Sequence, residues 1–259
     1  MTNEEIQVNL NLGITPKFPY TVIDAVNEVE LSIGIEDSIL YVAFLGSSTK
    51  MDWVHNFMFW KVPYKQMDKV FLVHAGFLKI YKLCQDPIHK FIKDNSNKFN
   101  KIVISGHSLG GAIASLCCED MSYFKEQNTI SNTIPIQCIT TGTPRVFTIF
   151  GYNTIKNRCK DVLRVVYGND KVARLPPRCF LFKHVGTELH SVKANFFGIL
   201  HPSAIYHHDV SRYLDFFNDT RIDTAETNYL FSPATKVYNI LYTIVGILGL
   251  IGIALLIFL

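Results

Sequence analysis

The chain has 259 residues, of which 48% are hydrophobic and only 18% charged, and its mean hydropathy is +0.17. This composition excludes a disordered chain, a multi-span membrane protein and a miniprotein held together by disulfides. The 25 basic and 22 acidic residues are intermixed, so no nucleic-acid-binding surface is indicated. The six cysteines show neither a CxxC pair nor metal-ligand spacing, so we expect reduced core thiols, no metal and no cofactor.

Short runs of β-branched residues alternate with longer helical stretches along the chain. This order is typical of an α/β protein with a mostly parallel sheet and helices on both faces. The predicted strands are Ile39–Phe44, Lys69–His74, Lys101–Ser105, Ile134–Thr140 and Val162–Tyr167. The predicted helices are Phe77–Ile92, Leu109–Phe124 and Val210–Phe217. We place this folded domain at residues 1–221.

The hydrophobic excess is concentrated at the end of the sequence. In residues 237–259, 18 of 23 are hydrophobic and none is charged. As a helix, residues 240–259 would be about 30 Å long, which matches the hydrocarbon core of a bilayer. A buried C-terminal helix is the alternative, but a helix that is apolar on all sides has no face for solvent.

We therefore predict a single C-terminal transmembrane helix at residues 237–259. The polar residues 222–236 would form a tether between this anchor and the folded domain. The first residues lack the basic and apolar regions of a secretory signal, so we expect the folded domain to lie on the cytosolic side of the membrane.

The sequence Gly-His-Ser-Leu-Gly at residues 106–110 lies between a predicted strand and a predicted helix. In that context GxSxG is typical of a nucleophile elbow, although an ordinary glycine turn is the alternative. The turn would strain the backbone of Ser108, so the flanking positions must lack side-chain bulk, and glycine meets this need. The backbone N–H of Leu109, at the helix N-terminus, would then face a developing oxyanion.

This motif, together with Val-His-Ala-Gly-Phe at residues 73–77, resembles the class 3 lipases, which are best known from secreted fungal triacylglycerol lipases. The resemblance extends from about Leu40 to Leu214. It implies an α/β-hydrolase fold, a Ser–Asp–His triad and hydrolysis of the carboxylic esters of lipids, with Ser108 as the nucleophile.

Two further segments match the family's other triad positions. Asp170 follows the predicted strand that ends at Tyr167, and it falls on the family's catalytic aspartate, although a turn aspartate is the alternative. The family's catalytic histidine lies in a loop just before a helix that carries a tyrosine, so either His207 or His208 could serve. We choose His208, because its five-residue spacing to Tyr213 fits the commoner pattern.

The resemblance also assigns an oxyanion hole and a lid. Ser47, in the loop after the first predicted strand, matches the family's second oxyanion donor beside Leu109. Trp53, Phe57 and Trp60 fall at i, i+4 and i+7, on one helical face, in the stretch that is the lid of the family. A helix packed permanently on the core is the alternative for this aromatic stripe.

The function implied is a serine hydrolase that cleaves lipid esters through an acyl-enzyme at a membrane surface. Its expected partners are a lipid ester substrate and the membrane that holds the C-terminal helix. The alternatives are a phospholipase A1 or small-ester esterase, and a catalytically silent lipid-binding scaffold on the same fold.

Overall fold

The computed structural model describes residues 16–24, 29–45, 60–66, 69–190 and 206–218. The strands are β1 (Thr21–Asp24), β2 (Val29–Glu36), β3 (Ile39–Phe44), β4 (Lys61–Gln66), β5 (Lys69–His74), β6 (Lys101–His107), β7 (Ile136–Thr141), β8 (Phe147–Thr148), β9 (Val162–Val166), β10 (Phe182–Lys183) and β11 (Thr187–His190). The helices are α1 (Ala75–Asp94), α2 (Leu109–Glu126), α3 (Tyr152–Arg158) and α4 (Val210–Asn218). Short 3-10 turns lie at Val172–Arg174, Arg178–Phe180 and Tyr206–His208.

The central sheet has seven strands in the order β1-β2-β3-β6-β7-β9-β11. The strands from β3 to β11 are parallel to one another, whereas β1 and β2 add an antiparallel edge. The predicted mostly parallel sheet is therefore confirmed. Because parallel strands end at the same edge of a sheet, the carboxyl ends of β3, β6, β7 and β9 lie side by side, and this edge is where α/β folds place their sites.

A second sheet, antiparallel and four-stranded, has the order β10-β8-β5-β4. The sequence predicts a single sheet, which is wrong: Lys69–His74 forms a strand as predicted but belongs to the second sheet. Strands β8 and β10 have only two residues each, too few for any periodicity to appear in the sequence.

The boundaries of the predicted elements differ from the observed ones by a few residues. Strand β7 begins at Ile136 rather than Ile134, after Pro135, which has no N–H for a ladder. Strand β2 was not predicted, although its residues 29–35 alternate between apolar and polar or small side chains, which is a strand signal. The helix α3 and the strands β1, β4 and β11 were also not predicted.

Helix α1 packs against α2 through one apolar stripe. Its buried residues Tyr81, Cys84, Ile88 and Ile92 recur every three or four positions, as an amphipathic helix requires. The Tyr81 hydroxyl also donates a 2.5 Å hydrogen bond to the buried Asp120 carboxylate of α2. This contact fixes how the two helices are placed, and with them the start of α2, which carries the GxSxG motif.

In the part of the chain that the structure describes, no helix is both long and apolar enough to cross a membrane. The predicted tether at residues 222–236 and the predicted anchor at residues 237–259 lie outside the described residues.

Candidate active site

Ser108 lies in the sharp turn between β6 and α2. Its backbone has φ 56° and ψ −121°, a conformation that residues other than glycine rarely adopt. The turn is held by a 2.8 Å hydrogen bond from the Ser108 N–H to the carbonyl of Thr141 on the neighbouring strand. The predicted strain at Ser108 is thus confirmed, and the turn presents this hydroxyl at the carboxyl edge of the central sheet.

The glycines of the motif are required by close contacts between backbone segments. A Cβ atom at Gly106 would lie 2.4 Å from the Gly110 carbonyl oxygen. A Cβ atom at Gly110 would lie 2.2 Å from the carbonyl oxygen of Phe44, at the end of β3. Both obstacles are backbone atoms that cannot rotate away, so the predicted need for small flanking residues is confirmed.

The structure brings Ser108, His208 and Asp170 together. The His208 Nε2 lies 2.7 Å from the Ser108 Oγ, and the His208 Nδ1 lies 2.8 Å from the Asp170 Oδ2. A carboxylate accepts but does not donate, so His208 carries its proton on Nδ1 and leaves Nε2 free to accept the serine hydroxyl proton. This arrangement can activate a serine nucleophile.

Asp170 is completely buried and is surrounded by hydrogen-bond donors. Its Oδ1 accepts from the backbone N–H groups of Val172 at 2.8 Å and Ala173 at 3.4 Å. Its Oδ2 accepts from the Tyr213 hydroxyl at 2.6 Å as well as from His208. Four donors from three segments therefore hold the carboxylate in one orientation, and they satisfy its oxygens as a polar group so deeply buried requires.

Tyr213 is a functional residue whose contact the sequence analysis missed. Its ring is fully buried, and its hydroxyl accepts a 3.2 Å hydrogen bond from the Tyr167 N–H while donating to Asp170. The hydroxyl thereby links the end of β9 to helix α4, the two segments that supply the acid and the histidine. The sequence signal was the spacing between His208 and Tyr213, which served only to choose between two histidines.

His207 faces away from Ser108 and clamps the loop that precedes Asp170. Its Nδ1 accepts a 2.9 Å hydrogen bond from the Asn169 N–H, and its ring meets the Tyr167 ring edge-on at 5.7 Å. Of the two histidines that the sequence left open, His208 is therefore the one with triad geometry.

His107, between the last glycine of β6 and Ser108, packs directly on His208. The two rings are stacked, with centroids 4.9 Å apart, and the His107 Nδ1 lies 2.9 Å from the Thr141 hydroxyl. Burial, followed by the neighbouring charge of His208, lowers the pKa of His107 to about 3. A neutral imidazole thus covers one face of the His208 ring, a role that the sequence analysis did not assign.

The described residues contain only part of the predicted oxyanion hole and lid. Leu109 is the first residue of α2, where backbone N–H groups have no acceptor within the helix. Ser47, Trp53 and Phe57 lie outside the described residues. Trp60 lies just before β4, outside any helix, and its side chain is 73% exposed. Its carbonyl accepts a 3.0 Å hydrogen bond from the Ala75 N–H, which extends the pairing of β4 with β5. The predicted helical face is therefore wrong at Trp60.

The loop that carries Asp170, residues 170–176, is braced by side chains that the sequence analysis did not single out. We call it the acid loop. The buried Arg145 guanidinium donates to the carbonyl of Pro176 at 2.8 Å and also to that of Arg174, and His184 Nε2 donates to the carbonyl of Ala173 at 2.8 Å. These contacts satisfy the loop's buried carbonyl groups and fix its path.

Among the described residues, neither a metal-binding cluster nor a cysteine thiol takes part in the hydrogen bonds of Ser108, His208 and Asp170. Within the described ranges, no group of three His, Cys, Asp or Glu side chains is arranged to hold a metal ion. All six cysteines are free thiols, and five of them are buried in the core.

Comparison with known proteins identifies related sequences. A family model described as Lipase (class 3) matches residues 41–180. The lipase of Rhizomucor miehei is 32% identical over 157 residues, which cover 60% of this chain and 42% of that protein. The secreted mono- and diacylglycerol lipase 1 of Fusarium solani is 31% identical over 153 residues, which cover 58% of this chain and 43% of that protein. The matched region is thus less than half the length of either relative.

A plant relative and a solved structure extend the comparison. The chloroplastic phospholipase A1-Ialpha2 of Arabidopsis thaliana is 25% identical over 280 residues, covering 85% of this chain and 56% of that protein. The structure of the Rhizomucor miehei lipase propeptide complex superposes with a TM-score of 0.61 at 25% identity, covering 73% of this chain and 69% of that one. This likeness confirms the α/β-hydrolase fold.

His107 gives the stability of the fold a pH dependence of predictable sign. Its pKa of about 3 in the folded protein is below the ordinary value of 6.5, so between these values the unfolded chain binds a proton that the folded chain does not. As the pH falls through this window, the free energy of unfolding should therefore decrease, by up to about 1.4 kcal/mol per pH unit from this residue.

Urea unfolding of the wild type and of His107→Asn measures the effect, since asparagine can keep the contact with Thr141 but does not titrate. Between about pH 7 and about pH 5, the wild type should lose roughly 2 kcal/mol more than the variant. Equal losses in the two proteins would show that His107 titrates as an ordinary histidine.

Proposed function

The chain belongs to the class 3 lipase family, and on that premise we propose that it is a serine hydrolase of lipid carboxylic esters with the triad Ser108, His208 and Asp170. The observation that carries the proposal is the unbroken chain of hydrogen bonds from serine to histidine to aspartate, at 2.7 and 2.8 Å. The order of the three residues along the chain, nucleophile then acid then base, is also that of the α/β-hydrolases.

The first half of the reaction forms an acyl-enzyme. His208 Nε2 takes the hydroxyl proton of Ser108 while the serine Oγ attacks the ester carbonyl, and the carbonyl oxygen becomes an oxyanion. Asp170 stabilises the imidazolium through the Nδ1–H. The imidazolium then gives its proton to the departing alcohol, which leaves the acyl group esterified to Ser108.

The second half returns the enzyme to its starting state. A water molecule transfers a proton to His208 Nε2 as its oxygen attacks the acyl-enzyme carbonyl, and the fatty acid leaves when the serine takes this proton back. The backbone N–H groups of Leu109 and Ser47 are the proposed oxyanion donors in both halves. The position of Leu109 as the first residue of α2 supports its role, and the sequence match supports that of Ser47.

Acylglycerols and phospholipids are the proposed substrate classes. The relatives include a secreted mono- and diacylglycerol lipase and a phospholipase A1, so both kinds of ester occur among proteins similar to this chain. A small-ester esterase is the remaining enzymatic alternative. A catalytically silent scaffold is disfavoured, because such a protein is expected to lack a triad member, whereas Ser108, Asp170 and His208 are all present and hydrogen-bonded.

We also propose that the protein acts at a membrane surface. Residues 237–259 would form the membrane anchor, residues 222–236 the tether, and residues 1–221 a catalytic domain on the cytosolic side. The length and lack of charge of the C-terminal segment support the anchor. Trp60, which follows the proposed lid residues Trp53 and Phe57, is 73% exposed, and tryptophan is enriched where proteins meet the membrane interface.

Three single variants test the triad. Ser108→Ala and His208→Ala should each lower the rate of fatty-acid release by about 10⁶, because nucleophile and base act as a unit. His207→Ala is the matched control: it removes a loop contact of roughly 0.5–1.5 kcal/mol and should leave the rate within about tenfold of the wild type. The measurement is fatty-acid release from a panel of triacylglycerol, diacylglycerol, phospholipid and short-chain esters.

Release of fatty acid that persists in Ser108→Ala would contradict the enzyme proposal. A loss in His207→Ala that exceeds the loss in His208→Ala would instead reverse the choice of base while keeping the nucleophile.

Truncation after Thr235 tests the anchor. Removal of the C-terminal segment should leave the turnover of a soluble short-chain ester unchanged, because the catalytic domain is intact. Hydrolysis of lipid in vesicles should fall by about 10² or more, since tethering to the bilayer raises the effective substrate concentration. Equal losses on both substrates would contradict anchoring and assign the segment a structural role.

A further inference from the structure

The His208 ring loses one of its two hydrogen bonds midway through the proposed reaction. In the resting enzyme the ring bonds to Asp170 through Nδ1 and to Ser108 through Nε2, at 2.8 and 2.7 Å. In the acyl-enzyme the serine oxygen is part of an ester, so it has no proton to donate to Nε2. The ring then depends on its Nδ1 bond, and on the groups packed against it, to keep Nε2 directed at the attacking water.

Two neighbours pack closely against the His208 ring. The His107 ring is stacked on it, with the centroids 4.9 Å apart and the ring planes 27° from parallel. Gly142 approaches the same ring so closely that a Cβ atom there would lie 3.0 Å from the Nδ1 and Cε1 atoms of His208. A ring held by one hydrogen bond can pivot about that bond, whereas a stacked ring and a backbone segment resist the rotation. Such resistance matters because a small misplacement of a catalytic group slows its reaction strongly.

His107 is itself fixed by the central sheet. It is the last residue of β6, and its Nδ1 lies 2.9 Å from the hydroxyl of Thr141, its register partner on β7. The Tyr213 ring meets the His107 ring nearly edge-on, with centroids 5.2 Å apart. His208, in contrast, is the last residue of a short 3-10 turn. The stack therefore connects the base, on a short turn, to a strand in the middle of the sheet.

The stacked ring also stays uncharged while His208 gains a proton. In both halves of the proposed reaction His208 becomes an imidazolium, and a second cation 4.9 Å away would oppose this step. Burial and the neighbouring charge of His208 lower the pKa of His107 to about 3, so His107 is neutral at neutral pH. His107 can thus hold the ring of the base without repelling its charged form.

We propose that His107 is a positioning residue that holds His208 for the hydrolysis of the acyl-enzyme. By stacking on the ring, it keeps Nε2 directed at the water molecule after Ser108 has been acylated. Its effect on the formation of the acyl-enzyme is smaller, because the bond between Ser108 and His208 also orients the ring in that half. This inference rests on the proposed function, since it assigns a residue that supports the proposed triad.

Pre-steady-state kinetics with a soluble p-nitrophenyl ester separate the two halves of the reaction. In the full chain, the initial burst of nitrophenolate measures formation of the acyl-enzyme, and the slower steady release measures its hydrolysis. His107→Asn can keep the contact with Thr141 but removes the stack. It should slow the steady release about ten-fold, the upper end of what one aromatic pair contributes, and the burst by no more than about two-fold.

His107→Phe is the matched variant, because it keeps an aromatic ring against His208 but loses the bond to Thr141. It should bring the steady release back to within about three-fold of the wild-type rate. The two variants together show whether the rate of hydrolysis follows the stack or the hydrogen bond to the neighbouring strand.

His89→Asn is the control for a general loss of stability. The His89 ring also packs on an aromatic ring, that of Phe124, with centroids 4.3 Å apart, and it bonds to the buried Asp120. Asp120 lies in the second half of α2, away from Ser108 at the start of that helix. This variant should leave both phases at the wild-type rate, and urea unfolding compares its stability with that of the two His107 variants.

Three outcomes would overturn the proposal. His107→Asn could slow both phases by the same factor, which would give His107 a purely structural role, or it could slow neither. His107→Phe could lose as much of the steady release as His107→Asn, in which case the stack is not what orients the base. Failure of the proposed function is distinguishable from all three, since the wild type would then release no nitrophenolate that depends on Ser108.

Discussion

The requirement that the oxygens of a fully buried carboxylate find hydrogen-bond donors inside the protein shapes much of this molecule. Asp170 can serve His208 only as an acceptor, so its remaining lone pairs must be satisfied inside the protein. Two backbone N–H groups of its own loop and the Tyr213 hydroxyl do this. The acid loop must therefore turn back on itself, and α4 must pack against the end of β9. Arg145 and His184, which lie near the ends of β8 and β10, donate hydrogen bonds to carbonyl groups of the acid loop. The second sheet therefore also helps to hold Asp170 in place.

The same edge of the sheet carries three histidines with three different roles, each set by what the ring contacts. His208 lies between Ser108 and Asp170, so its two nitrogens are both engaged in hydrogen bonds to these side chains. His207 bonds to a backbone N–H and holds a loop. His107 is kept neutral by burial and by the neighbouring His208, and it covers one face of that ring. Neighbours in sequence thus differ in chemistry because the turn before α4 points their side chains in different directions.

The sequence predicted features that depend on local backbone constraints. The GxSxG motif gave the elbow, because a strained serine between a strand and a helix permits few other residues beside it, and the contacts of Gly106 and Gly110 bear this out. Features that depend on long-range contacts left no local pattern. The β8–β10 pair is too short for periodicity, and the bonds of Arg145 to the acid loop join segments 29 and 31 residues apart. Trp60 shows the opposite error, since a helical spacing in the sequence was overridden by the pairing of β4 with β5.

If the hydrogen bonds of His208 to Ser108 and Asp170 make Ser108 a nucleophile, a probe for activated serines should label it. Mass spectrometry of the full chain after treatment with a fluorophosphonate, which phosphonylates activated serines, tests this directly. We expect a single phosphonyl adduct on the peptide that contains Ser108, which is lost in Ser108→Ala and formed far more slowly in His208→Ala. An unlabelled Ser108 in a protein shown to be folded, or labelling that does not depend on His208, would contradict it.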